Sequence, residues 1–95
     1  MRRGPPNRWH VYIVRCADGT LYTGAARNVP RRVAEHNGAG GRGAKYTRGR
    51  RPVRLVYVKE ARSRSEALRK EARLKRFSKK QKESLVCLSS TAIGA

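Results

Sequence analysis

The sequence predicts an α+β domain: a small antiparallel three-stranded sheet with flanking helices. Two segments, 9–16 and 52–60, are rich in aromatic and β-branched residues, as strands are. An Asp18-Gly19 pair follows the first segment and suits a tight hairpin. Two capping boxes, the Ser-x-x-Glu/Gln motifs that open helices, follow the second. The predicted element order is therefore β-β-α-β-α-α.

The first two strands are expected to pair as a hairpin. Residues 9–16, WHVYIVRC, carry apolar groups on both faces, which is typical of a central strand. Residues 21–25, LYTGA, return antiparallel to them. Because Asp-Gly is preferred in two-residue turns, such a turn is predicted at Asp18-Gly19, and it would place Tyr12 opposite Ala25.

A short helix and a loop are predicted between the second and third strands. Asn28 can cap this helix, Pro30 fits its first turn, and Asn37-Gly38 is a suitable end. Residues 38–51 contain five glycines among many cations, which predicts a flexible basic loop.

The two capping boxes predict the last two helices. Ser63-Arg-Ser-Glu66 would open a helix that runs to about Phe77, with the glutamate accepting the N–H of its own N-cap serine. Ser78-Lys-Lys-Gln81 would open a last helix that ends near Cys87. The small, uncharged residues after it predict a frayed end.

Length and net charge limit the number of domains and the kinds of partner to expect. The 95 residues suffice for one hydrophobic core, so we expect a basic N-terminal tail at 1–8, one domain at 9–87 and a C-terminal tail at 88–95. Lys and Arg number 24 against six acidic residues, a net charge of +18. Such a charge attracts polyanions, and nucleic acid is the first partner to expect. The absence of a basic helix with a strong apolar face argues against a membrane surface.

The cysteines and the apolar segments indicate the compartment. Cys16 and Cys87 match no metal-ligand spacing and are expected to be small buried apolar residues. The sequence has no apolar run of signal-peptide or membrane-spanning length, so a cytoplasmic protein is expected.

One carboxylate interrupts the apolar face of the helix after the first capping box. At about 100° per residue, Glu71 lies within the face formed by Ala67, Leu68, Ala72 and Leu74. Burying an unpaired carboxylate against the sheet would be costly. From the pattern alone, a salt bridge to an arginine, a solvated edge position and a functional carboxylate all remain open.

Other polar and aromatic residues gather near the predicted hairpin. Arg32 and His36 are four residues apart on the short helix and share one side of it. Tyr12 and Tyr22 lie within one or two positions of each other on the paired strands. Gly24 weakens a strand and often marks a close approach by a ligand or another backbone. Half-buried tyrosines and a solvated helix flank would also explain the pattern.

These motifs together resemble the GIY-YIG nuclease superfamily. The chain has VYIV, then LYTG after ten positions, then RRVAEHN, then Glu71 in ALRKE. It is similar in particular to the short stand-alone bacterial proteins whose domain is close to the structure-specific endonuclease subunit of a eukaryotic junction-resolving complex. The resemblance runs from about Trp9 to Leu85. Its departures are His10-Val11 before the first tyrosine and Thr23 in the second motif.

The resemblance implies a phosphodiester hydrolase that cuts DNA and leaves a 5′-phosphate. Glu71 would hold a single divalent ion, Mg²⁺ or Mn²⁺. Tyr12 would act as general base or orient the attacking water, and Arg32 would brace the scissile phosphate. Tyr22 and His36 would position water, a metal ligand or the leaving group. Around this centre, six residues are expected to bind nucleic acid: Gly24, Arg27, Asn37, Lys45, Tyr46 and Arg48.

The number of acidic residues limits the kind of metal site, and two other functions fit the same charge. One aspartate and five scattered glutamates cannot supply the carboxylate cluster of a two-metal site. A non-catalytic DNA- or RNA-binding module on the same fold and a ribosome-associated protein remain alternatives, because all three bind phosphate. A domain of this size has little surface for reading a branched substrate, which leaves room for a protein partner or a homodimer.

Overall fold

The structure is a computed structural model that describes residues 8–41 and 43–94, with side chains as far as Leu88. The predicted N-terminal tail, except Arg8, lies outside the described residues. Within the described ranges, no helix has the length and apolarity needed to cross a bilayer. The elements are β1 (Trp9–Arg15), β2 (Leu21–Ala26), α1 (Val29–His36), a 3-10 turn (Ala39–Gly41), α2 (Lys45–Arg48), β3 (Arg54–Ala61), α3 (Arg64–Lys75) and α4 (Lys79–Gly94).

The three strands form one antiparallel sheet in the order β2-β1-β3, which confirms the predicted α+β class. The central strand β1 is buried on both faces, as its sequence predicts. One face packs against α3 and α4 through Val11, Ile13, Leu21, Leu74 and Val86. The other face packs against α1 through Tyr12, Val14, Cys16, Val29 and Val53. The expected burial holds for Cys16, whereas it is wrong for Cys87, which is exposed on α4.

The turn of the β1–β2 hairpin differs from the prediction. The Gly19 N–H donates to the Cys16 carbonyl at 2.9 Å, and Gly19 adopts a φ of +87°. These features define a three-residue loop with glycine in the left-handed position. The Asp18 carboxylate accepts the Thr20 N–H at 3.0 Å and the Thr20 hydroxyl at 2.6 Å, which closes the loop. The predicted two-residue turn is therefore wrong.

The longer loop shifts the strand register by one residue. Tyr12 lies opposite Gly24, not opposite Ala25, and Val14 lies opposite Tyr22. Because side chains alternate between the faces of a sheet, a one-residue shift moves a whole strand's side chains to the other face. In the observed register, both tyrosines are on the face that α1 covers.

The capping signals are confirmed with one difference. Asn28 accepts the Arg31 N–H at 3.1 Å, and Ser63 accepts the Glu66 N–H at 3.2 Å. The Glu66 carboxylate accepts the N–H of Arg62 at 2.5 Å instead of that of Ser63. The Ser78–Gln81 box forms both predicted bonds, at 2.9 and 3.1 Å.

Two helices end elsewhere than predicted. α3 ends at Lys75, two residues before Phe77. The α4 backbone stays helical to Gly94, past Cys87, because neither glycine nor proline interrupts it earlier. The predicted apolar face of α3 is half correct: Ala67 and Leu74 are buried, whereas Leu68 and Ala72 are exposed. Glu71 lies one helical turn from each of the two buried residues.

Residues 38–41 and 43–51 are more regular than the predicted flexible loop. They contain the 3-10 turn and α2, and side chains tie them to the rest of the domain. The Arg51 guanidinium donates to the His36 carbonyl at 2.8 Å, and Arg50 pairs with Asp18 at 3.0 Å. Next to this segment, both backbone polar groups of Val53 bond the Asn37 side chain, at 2.7 and 2.9 Å. Because the Val53 backbone is bonded to Asn37, β3 begins at Arg54, two residues later than the predicted start at residue 52.

Gly24 can be tested for its role in packing. An alanine Cβ at this position would lie 2.5 Å from the Tyr12 hydroxyl oxygen, so Gly24→Ala should lower the free energy of unfolding by about 1–3 kcal/mol. Urea denaturation would measure it. Gly49→Ala is the matched control, because its Cβ would meet nothing within 4 Å, and it should change stability by less than about 0.5 kcal/mol. Equal stability of the two variants would contradict the assigned role.

Candidate active site

Tyr12 occupies the centre of the site, in the middle of the central strand. Only 1% of the residue is exposed, and its hydroxyl oxygen lies 2.8 Å from His36 Nε2. Gly24 lies directly across on β2, and the Tyr12 ring fills the space that a side chain there would take. The expectation for Gly24 was a close approach by phosphate. The structure gives a different reason for the glycine, namely room for the phenol.

His36 is the last residue of α1 and is fully buried. Its Nδ1 lies 3.0 Å from the Thr47 hydroxyl, and the Ala44 backbone N–H donates to the same nitrogen at 3.4 Å. Burial, followed by the positive charge of Arg32, holds the pKa of His36 below its usual value. The imidazole is therefore neutral at neutral pH.

Tyr22 joins His36 to the segment that carries α2. Its ring meets the His36 ring edge-on, with centroids 5.2 Å apart, and stacks on the Tyr46 ring at 5.4 Å. The Arg50 guanidinium lies 4.2 Å from the Tyr46 centroid, a cation–π contact. Tyr46, predicted to bind nucleic acid, thus also holds Tyr22 in place.

Arg32 lies one turn before His36 on α1, with 30% of its side chain exposed, and it donates to the Glu35 carboxylate at 2.9 Å. Its charge favours the phenolate form of Tyr12. Burial, followed by the neighbouring Tyr22, has the larger effect and raises the pKa of Tyr12 to about 12. At neutral pH the phenol is therefore protonated unless a further positive charge approaches it.

Glu71 reaches the same site from α3. Its side chain is 17% exposed and pairs with Lys75, one turn further on, at 3.1 Å. The Lys75 ammonium lies 6.0 Å from the Tyr22 ring centroid, and the Glu71 charge contributes to raising the pKa of Tyr12. Of the alternatives that the sequence leaves open for Glu71, a salt bridge is observed, but its partner is a lysine and not an arginine.

The donor set limits how a divalent ion could be held. Among the residues that the structure describes, no three His, Cys, Asp or Glu side chains are grouped closely enough to form a metal cage. Glu71 offers one carboxylate at a partly open position. Mg²⁺ commonly keeps several waters and takes one or two carboxylates together with substrate phosphate oxygens. A single Mg²⁺ or Mn²⁺ on Glu71, completed by water and phosphate, fits these residues.

The remaining predicted residues lie outside this centre. Arg27, Lys45 and Arg48 are exposed on the surface. Asn37 uses both polar groups of its side chain to bond the Val53 backbone, so its contact is structural. The predicted nucleic-acid contacts of these four residues stay predictions.

Sequence reasoning did not include three groups that the structure brings to the site. Lys75 carries a usable signal, because it lies four residues after Glu71 on one helix face. Thr47 and the Ala44 amide carry none, since their place beside His36 arises from the path of the chain between α1 and α2.

Comparison with known proteins gives the family. The GIY-YIG catalytic domain matches residues 8–84. A UPF0213 protein of Desulfotalea psychrophila is 52% identical over 87 residues, which cover 92% of this chain and 78% of that protein. A UPF0213 protein of Halobacterium salinarum is 57% identical over 76 residues, 80% of this chain and 96% of that one.

A solved structure is similar as well. The solution NMR structure of a UPF0213 protein from Bacillus halodurans has 48% sequence identity and a TM-score of 0.54, covering 85% of this chain and 84% of that one. With the domain match, these similarities show that the chain belongs to the GIY-YIG family, among the short proteins called UPF0213.

Proposed function

We propose that the protein is a metal-dependent DNA endonuclease that hydrolyses phosphodiester bonds at the site around Tyr12. One observation carries the proposal: a phenol, a neutral imidazole, a guanidinium and a carboxylate from three separate elements, β1, α1 and α3, meet in a chain of net charge +18. Packing alone does not require a guanidinium and a carboxylate beside the buried Tyr–His pair. The GIY-YIG domain, a nuclease domain, agrees with this chemistry.

Tyr12, in its phenolate form, would accept the proton of the attacking water. The water oxygen attacks phosphorus and the bond from phosphorus to the 3′ oxygen breaks. The 3′ oxygen leaves with the bonding electrons and takes a proton from solvent, so that one product end is a 3′ hydroxyl and the other a 5′-phosphate. The hydrogen bond with His36 and the charge of Arg32 hold the Tyr12 oxygen in position. Arg32 would also donate to the phosphate oxygens, where its fork matches the developing charge. A divalent ion on Glu71, Mg²⁺ or Mn²⁺, would supply positive charge beside the phosphate and the phenol.

The proposed substrate is branched or single-stranded DNA of the kind formed in repair and recombination, and the proposed compartment is the cytoplasm. The aromatic and cationic groups at Tyr46, Lys45 and Arg48 suit a strand that passes along α2. A protein partner or a second copy of the chain would extend this small surface.

A second candidate function is a nucleic-acid-binding module without catalysis. It is favoured by the ion pair that occupies Glu71 and by the raised pKa of Tyr12, which together leave the base protonated and the carboxylate engaged. Cleavage assays separate the two candidates.

Glu71→Gln tests the metal-dependent reaction. With labelled single-stranded, duplex, flap and branched DNA at low salt, wild-type protein should cut in Mg²⁺ or Mn²⁺ but not in chelator. The variant should cut at least about 100-fold more slowly, because the ion loses its carboxylate. Its free energy of unfolding should fall by less than about 1 kcal/mol, since one helical ion pair contributes about 0.3–0.5 kcal/mol.

Glu83→Gln is the matched control for this assay. Glu83 pairs with Arg15 away from the Tyr12 site, so the same change of carboxylate to amide should leave cutting intact. DNA binding without cutting by both wild-type and Glu71→Gln protein would favour the binding module.

The pH dependence of cutting tests Tyr12 as the base. Since the pKa of Tyr12 is raised, little phenolate is present at neutral pH, and the fraction grows about tenfold per pH unit below that pKa. Single-turnover rates should therefore rise from pH 6.5 to pH 8.5 and level off only at the pKa in the substrate complex. Tyr12→Phe should remove this rise together with most of the activity. A rate that falls with pH would rule out the phenolate.

Replacing Lys45 and Arg48 by alanine tests the α2 surface. Each phosphate contact contributes about 0.9 to the slope of log affinity against log salt on duplex DNA. Fluorescence anisotropy should show a slope lower by about 1.8 in the double variant, equally on different sequences. The control is the double alanine variant of Lys59 and Arg62, two exposed cations outside this segment. Equal losses in both double variants would mean that the charge acts as a diffuse field.

A further inference from the structure

We infer that the Ala44 backbone amide and the Thr47 hydroxyl hold His36 in one tautomer, with its hydrogen on Nε2, so that His36 donates a hydrogen bond to the Tyr12 oxygen. Thr47 and the Ala44 peptide are then positioning groups that act on Tyr12 through His36. The tautomer is a property of the folded chain, whereas its use in cutting rests on the proposed function.

The argument starts from the hydrogen count of imidazole. A neutral histidine ring carries one N–H and one lone pair, and each nitrogen takes the role that its neighbours allow. A backbone N–H can only donate, and that of Ala44 points at His36 Nδ1 across 3.4 Å. A hydrogen on Nδ1 would face the amide hydrogen directly. Nδ1 therefore holds the lone pair and Nε2 holds the hydrogen.

Thr47 follows the tautomer that the Ala44 amide sets. Its hydroxyl oxygen lies 3.0 Å from His36 Nδ1, and the hydroxyl can also donate to the Ala44 carbonyl oxygen at 3.0 Å. That carbonyl already accepts the backbone N–H groups of Thr47 and Arg48, both at 3.1 Å. Once the Ala44 amide has placed a lone pair on Nδ1, a Thr47 hydrogen pointing at the carbonyl would leave two lone pairs facing each other. The hydroxyl hydrogen therefore points at Nδ1 and shares its lone pair with the amide.

The chain path that builds this contact depends on Gly43. A Cβ on Gly43 would lie 2.7 Å from the Glu35 carbonyl oxygen and 3.2 Å from the His36 Cα. Glycine lets the backbone pass against the end of α1, and the next amide, that of Ala44, then reaches the imidazole. The Arg51 guanidinium lies beside Gly43, donates to the His36 carbonyl at 2.8 Å and fixes the same helix end.

The tautomer has a consequence for Tyr12. A donor 2.8 Å from the phenol oxygen stabilises the phenolate more than the phenol. It therefore opposes the burial that disfavours the charged form. The opposite tautomer would make His36 an acceptor for the Tyr12 proton, with the Thr47 hydroxyl accepting from Nδ1. The two arrangements differ in which ring nitrogen carries hydrogen, which can be measured.

The first experiment is NMR of the full chain labelled with ¹⁵N, at pH 7.5 without DNA. Long-range proton–nitrogen correlations identify the protonated ring nitrogen, and His10→Gln assigns the spectrum, because His10 and His36 are the two histidines of the sequence. A hydrogen on His36 Nε2 supports the inference. A hydrogen on Nδ1, or a mixture of both tautomers, overturns it. This readout is independent of cutting, so failure of the proposed nuclease leaves it standing.

Thr47→Val and Thr47→Ser form the second test. Valine keeps the shape and removes the hydroxyl, so Nδ1 loses one donor, ultraviolet titration of Tyr12 should shift to higher pH, and cutting at pH 7.5 should fall about tenfold but recover at higher pH. Serine should restore both. Loss of cutting by the same factor at every pH, with Tyr12 titration unchanged, overturns the role of Thr47. If the valine variant does not fold, the NMR result on wild-type protein still decides.

Discussion

The contact between the Tyr12 phenol and the His36 imidazole sets the geometry on which the rest of the structure depends. It joins the central strand to the end of α1, and it exists because β2 has no side chain at Gly24. The other ring nitrogen of His36, Nδ1, contacts the Ala44 amide and the Thr47 hydroxyl, and these contacts fix the position of α2. A single buried ring therefore connects three parts of the chain that are distant in sequence. Packing by itself requires Gly24 and His36, apart from any role that they have in a reaction.

Burial and charge act against each other at this site. Burial raises the pKa of Tyr12, and a phenol with a pKa of about 12 is a poor base at neutral pH. Arg32 acts in the opposite direction, and Lys75 pairs with Glu71, the nearby carboxylate whose charge opposes a phenolate. In a chain with six acidic residues and 24 basic ones, the positive electrostatic potential of the whole protein attracts anions. The site is therefore suited to acquire negative charge when a phosphate and an ion arrive.

The sequence predicts the parts of this molecule that depend on near neighbours. The Ser78–Gln81 box and the apolar residues on both faces of β1 are local patterns, and the predictions made from both are correct. The hairpin register is wrong because the Asp18 side chain bonds two groups of Thr20 and closes a longer loop. Residues 38–51 have glycine-rich composition, but their order comes from tertiary contacts that composition does not encode. The resemblance names the five central side chains, whereas a backbone amide such as that of Ala44 leaves no mark in the sequence.

The proposed recognition surface and the proposed chemical centre share one short segment. A helix of four residues has no stability of its own, so α2 takes its conformation from the contacts of Tyr46 with Tyr22 and of Thr47 with His36. The exposed cations Lys45 and Arg48 belong to the same four residues and are held by the same contacts. The backbone positions of these two cations are thereby fixed relative to the buried phenol. A hydrolytic site needs such a fixed relation, because a phosphate bound a fraction of an ångström out of line loses much of the rate that alignment provides.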